Sequence, residues 1–239
     1  MFTLDSIAKP RVERWLFSSF SLNISPRFVD KTLMKRTADV NKITGLELPS
    51  EARFYIQNLM VSLKIHDIGT FEHCERVGSM CFELAQELEL NLTEQATAYY
   101  SGYLHDVGKI KISPDIINKP SKLDNTEFAI MKNHALLGAE LVDPLTHIPF
   151  FKNVREAVLY HHERVDGKGY YGIAAEQIPL TSKIILIADT VDAMGADRAY
   201  RKGLPMNVII DELINCSGTQ FESQIVNAFL NSKTIKKAA

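Results

Sequence analysis

Apolar residues recur at intervals of three and four along most of the chain. Phe54, Ile56, Leu59, Met60 and Leu63 make one stripe, and Phe82, Leu84, Ala85, Leu88 and Leu90 make another, the spacing of helices with one buried face. Helix starts are marked by Ser50 before EARFYIQ, by Thr93 before EQATAYY, and by Asp124 with Glu127 three residues on, a capping-box pair. The prolines fall between these segments rather than inside them, where a fixed φ and a missing N–H do no harm. Lys183 to Ala188, KIILIA, is β-branched enough to suit a buried strand. Its continuation through Asp189, Val191, Ala193 and Met194 without a turn signal favours a long buried helix. The pattern predicts an all-α protein.

Gly45 and Pro49 punctuate the chain and suggest a division into a short helical N-terminal region (1–48), a main domain (49–232) and a short basic tail (233–239). Trp15, Leu16, Phe17 and Phe20 cluster in the first region, which is expected to pack on the main domain or on a second copy of the chain. Forty-eight residues are few for a separate sensory domain, typically about 100, so regulation is expected through dimerisation or a protein partner.

Composition narrows the function classes. Among 239 residues, 46% are hydrophobic and 23% charged, the range of a folded globular protein. Twenty-seven basic against 29 acidic residues leave a formal charge of -2, with no basic excess for polymeric nucleic acid or a membrane surface. No apolar run approaches the roughly 20 residues of a membrane span, and the N-terminus MFTLDSIAKPRVER lacks the layout of a signal peptide. Cys74, Cys81 and Cys216 form no C-x-x-C pair, and they read as small buried hydrophobes in a reducing cytoplasm.

The chemistry lies in the histidines. Of seven, His66 and His147 stand alone and read as ordinary hydrogen-bonded side chains. HDVGK from His105 sets an imidazole, a carboxylate and the Lys109 ammonium on one face if the segment is α-helical. HHERVDGKGY from His161 brings two adjacent imidazoles, two acids and a glycine-rich turn. Imidazole with carboxylate suits borderline or hard divalent ions, and no thiolate is placed to demand a softer one. In the turn, Gly167 and Gly169 are expected to supply positive φ, and Asp166 to pin the loop.

His73-Cys74-Glu75-Arg76-Val77, HDVGKI from His105, His134 with Gly138-Ala139, HHERVDGKGY, IADTVDAM with Asp189, and DRAYRKGL from Asp197 follow one another in order. This series resembles the HD-GYP subgroup of HD-domain phosphohydrolases over about residues 50 to 205. The resemblance implies an all-helical bundle around a binuclear metal centre that hydrolyses cyclic dinucleotides, chiefly cyclic di-GMP, to pGpG and on to GMP. By that resemblance His73, His105, Asp106 and Asp189 hold one ion, and Asp106 bridges to a second held by His134, His161 and His162. Iron or manganese is expected first, with zinc, nickel, cobalt and magnesium compatible with the same ligands. A hydroxide bridging the ions is the expected nucleophile. Asp106 and Lys109 are then the catalytic pair, with Lys109, Arg198, Arg201, Gly169 and Tyr170 contacting substrate.

Three positions depart from the family pattern. Gly169-Tyr170-Tyr171 replaces Gly-Tyr-Pro, Ala199 stands where proline is common, and Gly69 stands where some members carry a glutamate for a third ion. The resemblance therefore implies two ions here. The missing proline also keeps open a different substrate, cyclic GMP-AMP or a mononucleotide, and a non-catalytic signalling module that binds a nucleotide or partner is the third reading.

Overall fold

The computed structural model describes residues 40–196, 202–232 and 235. The aromatic cluster around Trp15, the DRAYR segment with Arg198, Ala199 and Arg201, and most of the basic tail lie outside the described residues. Among the described residues, a helical turn at 40–44 leads into ten helices. They are α1 (Ser50–His66), α2 (Ile68–Glu87), α3 (Leu92–Leu104), α4 (Pro114–Ile117), α5 (Asn125–Lys132), α6 (His134–Val142), α7 (Phe151–Tyr160), α8 (Leu180–Gly195), α9 (Met206–Asn215) and α10 (Ser223–Asn231), with short 3-10 turns at Val107–Lys111, Asp143–Leu145 and Ala175–Gln177. No strand occurs among the described residues, where pairing is limited to one isolated bridge, Ser217 to Phe221. None of these helices is long and apolar enough to cross a membrane.

The long hairpin of α2 and α3 forms the centre, and α8 crosses both. On one side Ile56, Met60 and Leu63 of α1 meet Phe71 and Cys74 of α2, Tyr99, Tyr100 and Tyr103 of α3, and Phe150 and Phe151. On the other, Val77, Cys81 and Leu84 of α2 meet Ile184, Ile185, Ile187 and Val191 of α8, and Leu213, Phe221 and Phe229 of the C-terminal pair. KIILIA is helical because it is covered all round, Ile184 through Ala188 being buried in succession. A fully buried helix loses the two-faced pattern that would set it apart from a strand. Cys74 and Cys81 are buried and all three cysteines are free.

Helix starts follow the polar signals with two shifts. Asp124 accepts from the Thr126 and Glu127 amides while Glu127 returns to the Asp124 amide, as the spacing predicts. In α3 the box is Asn91 with Glu94, two residues ahead of Thr93. Asparagine reaches the third helical amide and has an acid at the reciprocal position. Ser50 is the first residue of α1 and follows Pro49, with no side-chain cap. Leu88 and Leu90 lie beyond the end of α2, where Glu89 at φ 55° turns the chain and Leu90 bonds back to the Ala85 carbonyl.

Candidate metal centre

Three of the histidines stand just past a helix C-terminus. His105 follows α3, His134 comes two residues after α5, and His161 follows α7. The last carbonyls of a helix have no intrahelical donor, and these rings supply one. His105 Nδ1 donates to the Gly102 carbonyl at 2.7 Å, His134 Nδ1 to Met131 at 2.6 Å, and His161 Nδ1 to Val158 at 2.6 Å. A carbonyl only accepts, so each Nδ1 carries a proton and each ring turns its Nε2 inward.

Two donor groups result. His134 Nε2 lies 3.1 Å from His161 Nε2 and 3.2 Å from His162 Nε2. His73, His105 and Asp106 form the second group, extended by Asp189, whose Oδ1 is 3.1 Å from His73 Nε2. Asp106 joins the two. Its Oδ1 is 3.3 Å from His134 Nε2, while its Oδ2 is 3.8 Å from His73 Nε2 and 3.4 Å from His105 Nε2. The buried His105 Nε2 has no hydrogen-bond partner. Residues spread from 73 to 189 thus converge in one pocket.

Its electrostatics favour a cation. Burial pushes His134 down to about 3 and also lowers His161 and His162, so all three rings are neutral. Burial works against the charge of Asp106, but Lys109 and His105 outweigh it and hold the carboxyl well below its ordinary range. Asp189 is likewise lowered, with the His73 hydrogen bond overcoming its burial. Neutral lone pairs facing one another repel unless a positive centre lies between them. Metal–nitrogen bonds of about 2.1 Å at right angles would set the nitrogens about 3.0 Å apart, close to the spacing of the three rings. The donors therefore fit divalent metal, as the residue types do.

Further side chains hold these donors, and sequence reasoning gave them no role. Asp192, 9% exposed, sits 2.7 Å from His73 Nδ1 through Oδ2 and takes a two-pronged bond from Arg76 at 2.6 and 3.0 Å. Carboxylates behind metal-binding imidazoles orient the ring in this way. The available signal was spacing: Asp189 with Asp192, and His73 with Arg76, are each three apart on a helix. Glu163, 1% exposed, accepts from the Tyr171 amide at 2.6 Å and the Ile173 amide at 3.1 Å. It braces the turn after the histidine pair from inside.

That turn departs from expectation at one glycine. Gly167 has φ 72° as expected, but Gly169 does not take positive φ, and the other left-handed glycine of the loop is Gly172 at 68°. Gly169 is required for closeness, because a Cβ there would lie 2.5 Å from Glu163 Cα and 2.7 Å from its carboxylate carbon. Asp166 pins the loop by accepting from Arg164 and the Lys168 amide, and its own amide bonds to the Thr219 carbonyl. Tyr170 lies against His162, ring centroids 4.4 Å apart.

The Lys109 face forms by a different route from the one expected. Residues 107–111 are a 3-10 turn, not α-helix, so positions three apart eclipse and Lys109 Nζ comes to 2.6 Å from Asp106 Oδ2. The tight turn presses backbone on backbone: a Cβ on Gly108 would collide with the His134 carbonyl oxygen. His66 and His147 bond to the Ile112 and Pro144 carbonyls, apart from the donor groups. Gly69 offers no donor, and neighbouring Asp67 caps α2.

Residues 59–225 match the family model described as HD domain. The chain belongs to the HD-domain family. It is 34% identical over 174 residues to a protein of Pseudomonas aeruginosa named a cyclic di-GMP phosphodiesterase, covering 72% of this chain and 41% of that one. A cyclic di-GMP phosphodiesterase of Thermotoga maritima is 34% identical, with 69% and 45% covered. A 3'3'-cGAMP-specific phosphodiesterase of Vibrio cholerae is 30% identical, with 92% and 40% covered. This HD-domain chain spans less than half the length of these three relatives. Its fold is shared with a solved HDG"Y"P protein from Bdellovibrio bacteriovorus, at TM-score 0.55 and 19% identity, covering 69% of this chain and 51% of that one. A V. cholerae cyclic GMP-AMP phosphodiesterase structure gives TM-score 0.52 at 20% identity, with 72% and 46% covered. The all-α architecture expected from the apolar spacing is the architecture of this HD domain.

Proposed function

We propose that this HD domain is a metal-dependent phosphodiesterase that opens cyclic di-GMP to pGpG and carries it on to GMP. The observation that carries the reading is the position of Asp106, whose two oxygens face separate groups of metal-ligating donors. His73, His105, Asp106 and Asp189 are the residues for one divalent ion, and Asp106, His134, His161 and His162 for a second, with iron or manganese first. When bound, such ions polarise phosphate oxygens and acidify water. The chain itself positions and neutralises. Lys109 holds a positive charge at Asp106 Oδ2, beside the site of attack, where charge builds on the phosphoryl oxygens. Glu163 and Asp166 hold the loop that carries Tyr170 to the site wall, and Arg198 and Arg201 remain substrate contacts in this proposal. We assign the chemistry to 49–232 and a docking or dimerising role to 1–48, in the cytoplasm.

Anaerobically purified protein is expected to carry two equivalents of iron or manganese by elemental analysis. It should convert cyclic di-GMP to pGpG in a chromatographic assay. Metal-free protein that gains no activity on reloading would defeat the reading. Cyclic GMP-AMP, for which one V. cholerae relative is named, is the comparison substrate. Competition between the two nucleotides decides their order, and stoichiometric metal without hydrolysis of any nucleotide would leave a binding module.

Asp192→Ala should weaken metal retention about 10- to 100-fold in titration against a chelator, because the His73 ring loses its brace. Asp192→Asn keeps an acceptor toward His73 and should lose less. Equal retention in both variants would remove Asp192 from the centre.

A further inference from the structure

Lys132, the last residue of α5, has no part in the mechanism above. Its Nζ lies 5.0 Å from the centroid of the Tyr170 ring, 6.0 Å from that of Phe128, and at a long 3.4 Å from the Tyr170 carbonyl oxygen. Among the described residues no carboxylate pairs with it. Tyr170 in turn packs its ring on His162, centroids 4.4 Å apart, and Phe128 stands edge-on to Tyr170 while remaining 47% exposed. An ammonium without an acidic partner among the described residues therefore sits one aromatic ring away from the donor groups, beside an aromatic surface open to solvent.

A cyclic dinucleotide carries two phosphodiesters on opposite sides of its ring. When one is held for cleavage, the other is an anion some distance away with no counter-charge from the centre itself. A lysine over aromatic faces keeps its charge at little desolvation cost, and it can form a charge-assisted bond when an anion arrives. Resting on the phosphodiesterase reading, we propose that Lys132 is a specificity-determining residue that takes the second phosphodiester of the cyclic dinucleotide. Phe128 and Tyr170 then flank the adjoining nucleoside.

The test compares cyclic di-GMP with bis(p-nitrophenyl) phosphate, which has one phosphodiester and nothing for Lys132 to hold. In manganese-loaded protein, Lys132→Met should lower the ratio of the two kcat/KM values about tenfold, mainly through KM for the cyclic substrate. Lys132→Arg should restore most of the ratio. Should the Met variant fail to fold, Lys132→Gln supplies the same comparison with a polar chain of similar reach. A proportional fall on both substrates would overturn the proposal in favour of simple loop support through the Tyr170 carbonyl, and an unmoved ratio would overturn it outright. Wild-type protein that turns over neither diester would defeat the phosphodiesterase reading and this one together. Wild-type activity with no change in the ratio defeats only the role of Lys132.

Discussion

Asp106→Ala protein is expected to lose cyclic di-GMP turnover by roughly a thousandfold or more. It should also retain less than the wild-type equivalents of metal. Both oxygens of this one carboxylate are in use, Oδ1 toward His134 and Oδ2 toward His73, His105 and Lys109. No neighbouring group can replace a donor that faces two ways. Asp106→Asn tests the charge with the shape kept. It retains one acceptor oxygen but no negative charge, so its activity should fall nearly as far. Steady-state rates with metal analysis on the same samples check the prediction, and near-wild-type rates in either variant would contradict it. Removing the acid also strips Lys109 of its partner, and an uncompensated ammonium is costly where water is scarce. Melting curves must therefore accompany the kinetics. The Lys109 side chain is 21% exposed and can turn outward, so the Asp106 variants should remain folded.

Gly108→Ala should be strongly damaging, small as the change is. On an isolated helix alanine is favoured over glycine, so local propensity alone predicts stabilisation. Tertiary packing predicts the reverse. A Cβ at 108 would run into the His134 carbonyl oxygen and the Gly138 amide nitrogen, which are backbone atoms of α6 and have no rotamer to escape into. An overpacking cost of roughly 3 kcal/mol follows, equivalent to a fall of about 6–12 °C in Tm for a domain of this size. The strain would fall between Asp106 and His134, so metal retention should drop alongside stability. Calorimetry decides the sign, and a rise in Tm would mean that the 3-10 turn does not approach α6 as closely as described.

Much of the site could be read from the letters because each donor lies in a local motif whose neighbours also matter. HDVGK and HHERVDGKGY pair the donors with the glycines and acids that hold them, and the order of motifs pointed to one family. Asp192 went unassigned although it lies within IADTVDAM. Its role depends on His73 and Arg76, more than a hundred positions away in the chain, and nothing in the segment itself distinguishes a brace from a solvated helical acid. Glu163 was quoted but given no task for a similar reason. Its partners are the amides of a loop whose path is not encoded in any periodicity. The Gly169 error shares this origin, since a glycine required for left-handed φ and one required for close approach look alike in sequence.

By itself the chain determined the helical class, the order of the donors and the family, because apolar period, capping residues and motif spacing are local properties. Tertiary structure alone decided that residues 107–111 tighten into a 3-10 turn against α6. It also decided that three histidines each spend one nitrogen on a helix end and turn the other inward. Those outcomes depend on burial and on unsatisfied carbonyls, which exist only once the helices have packed.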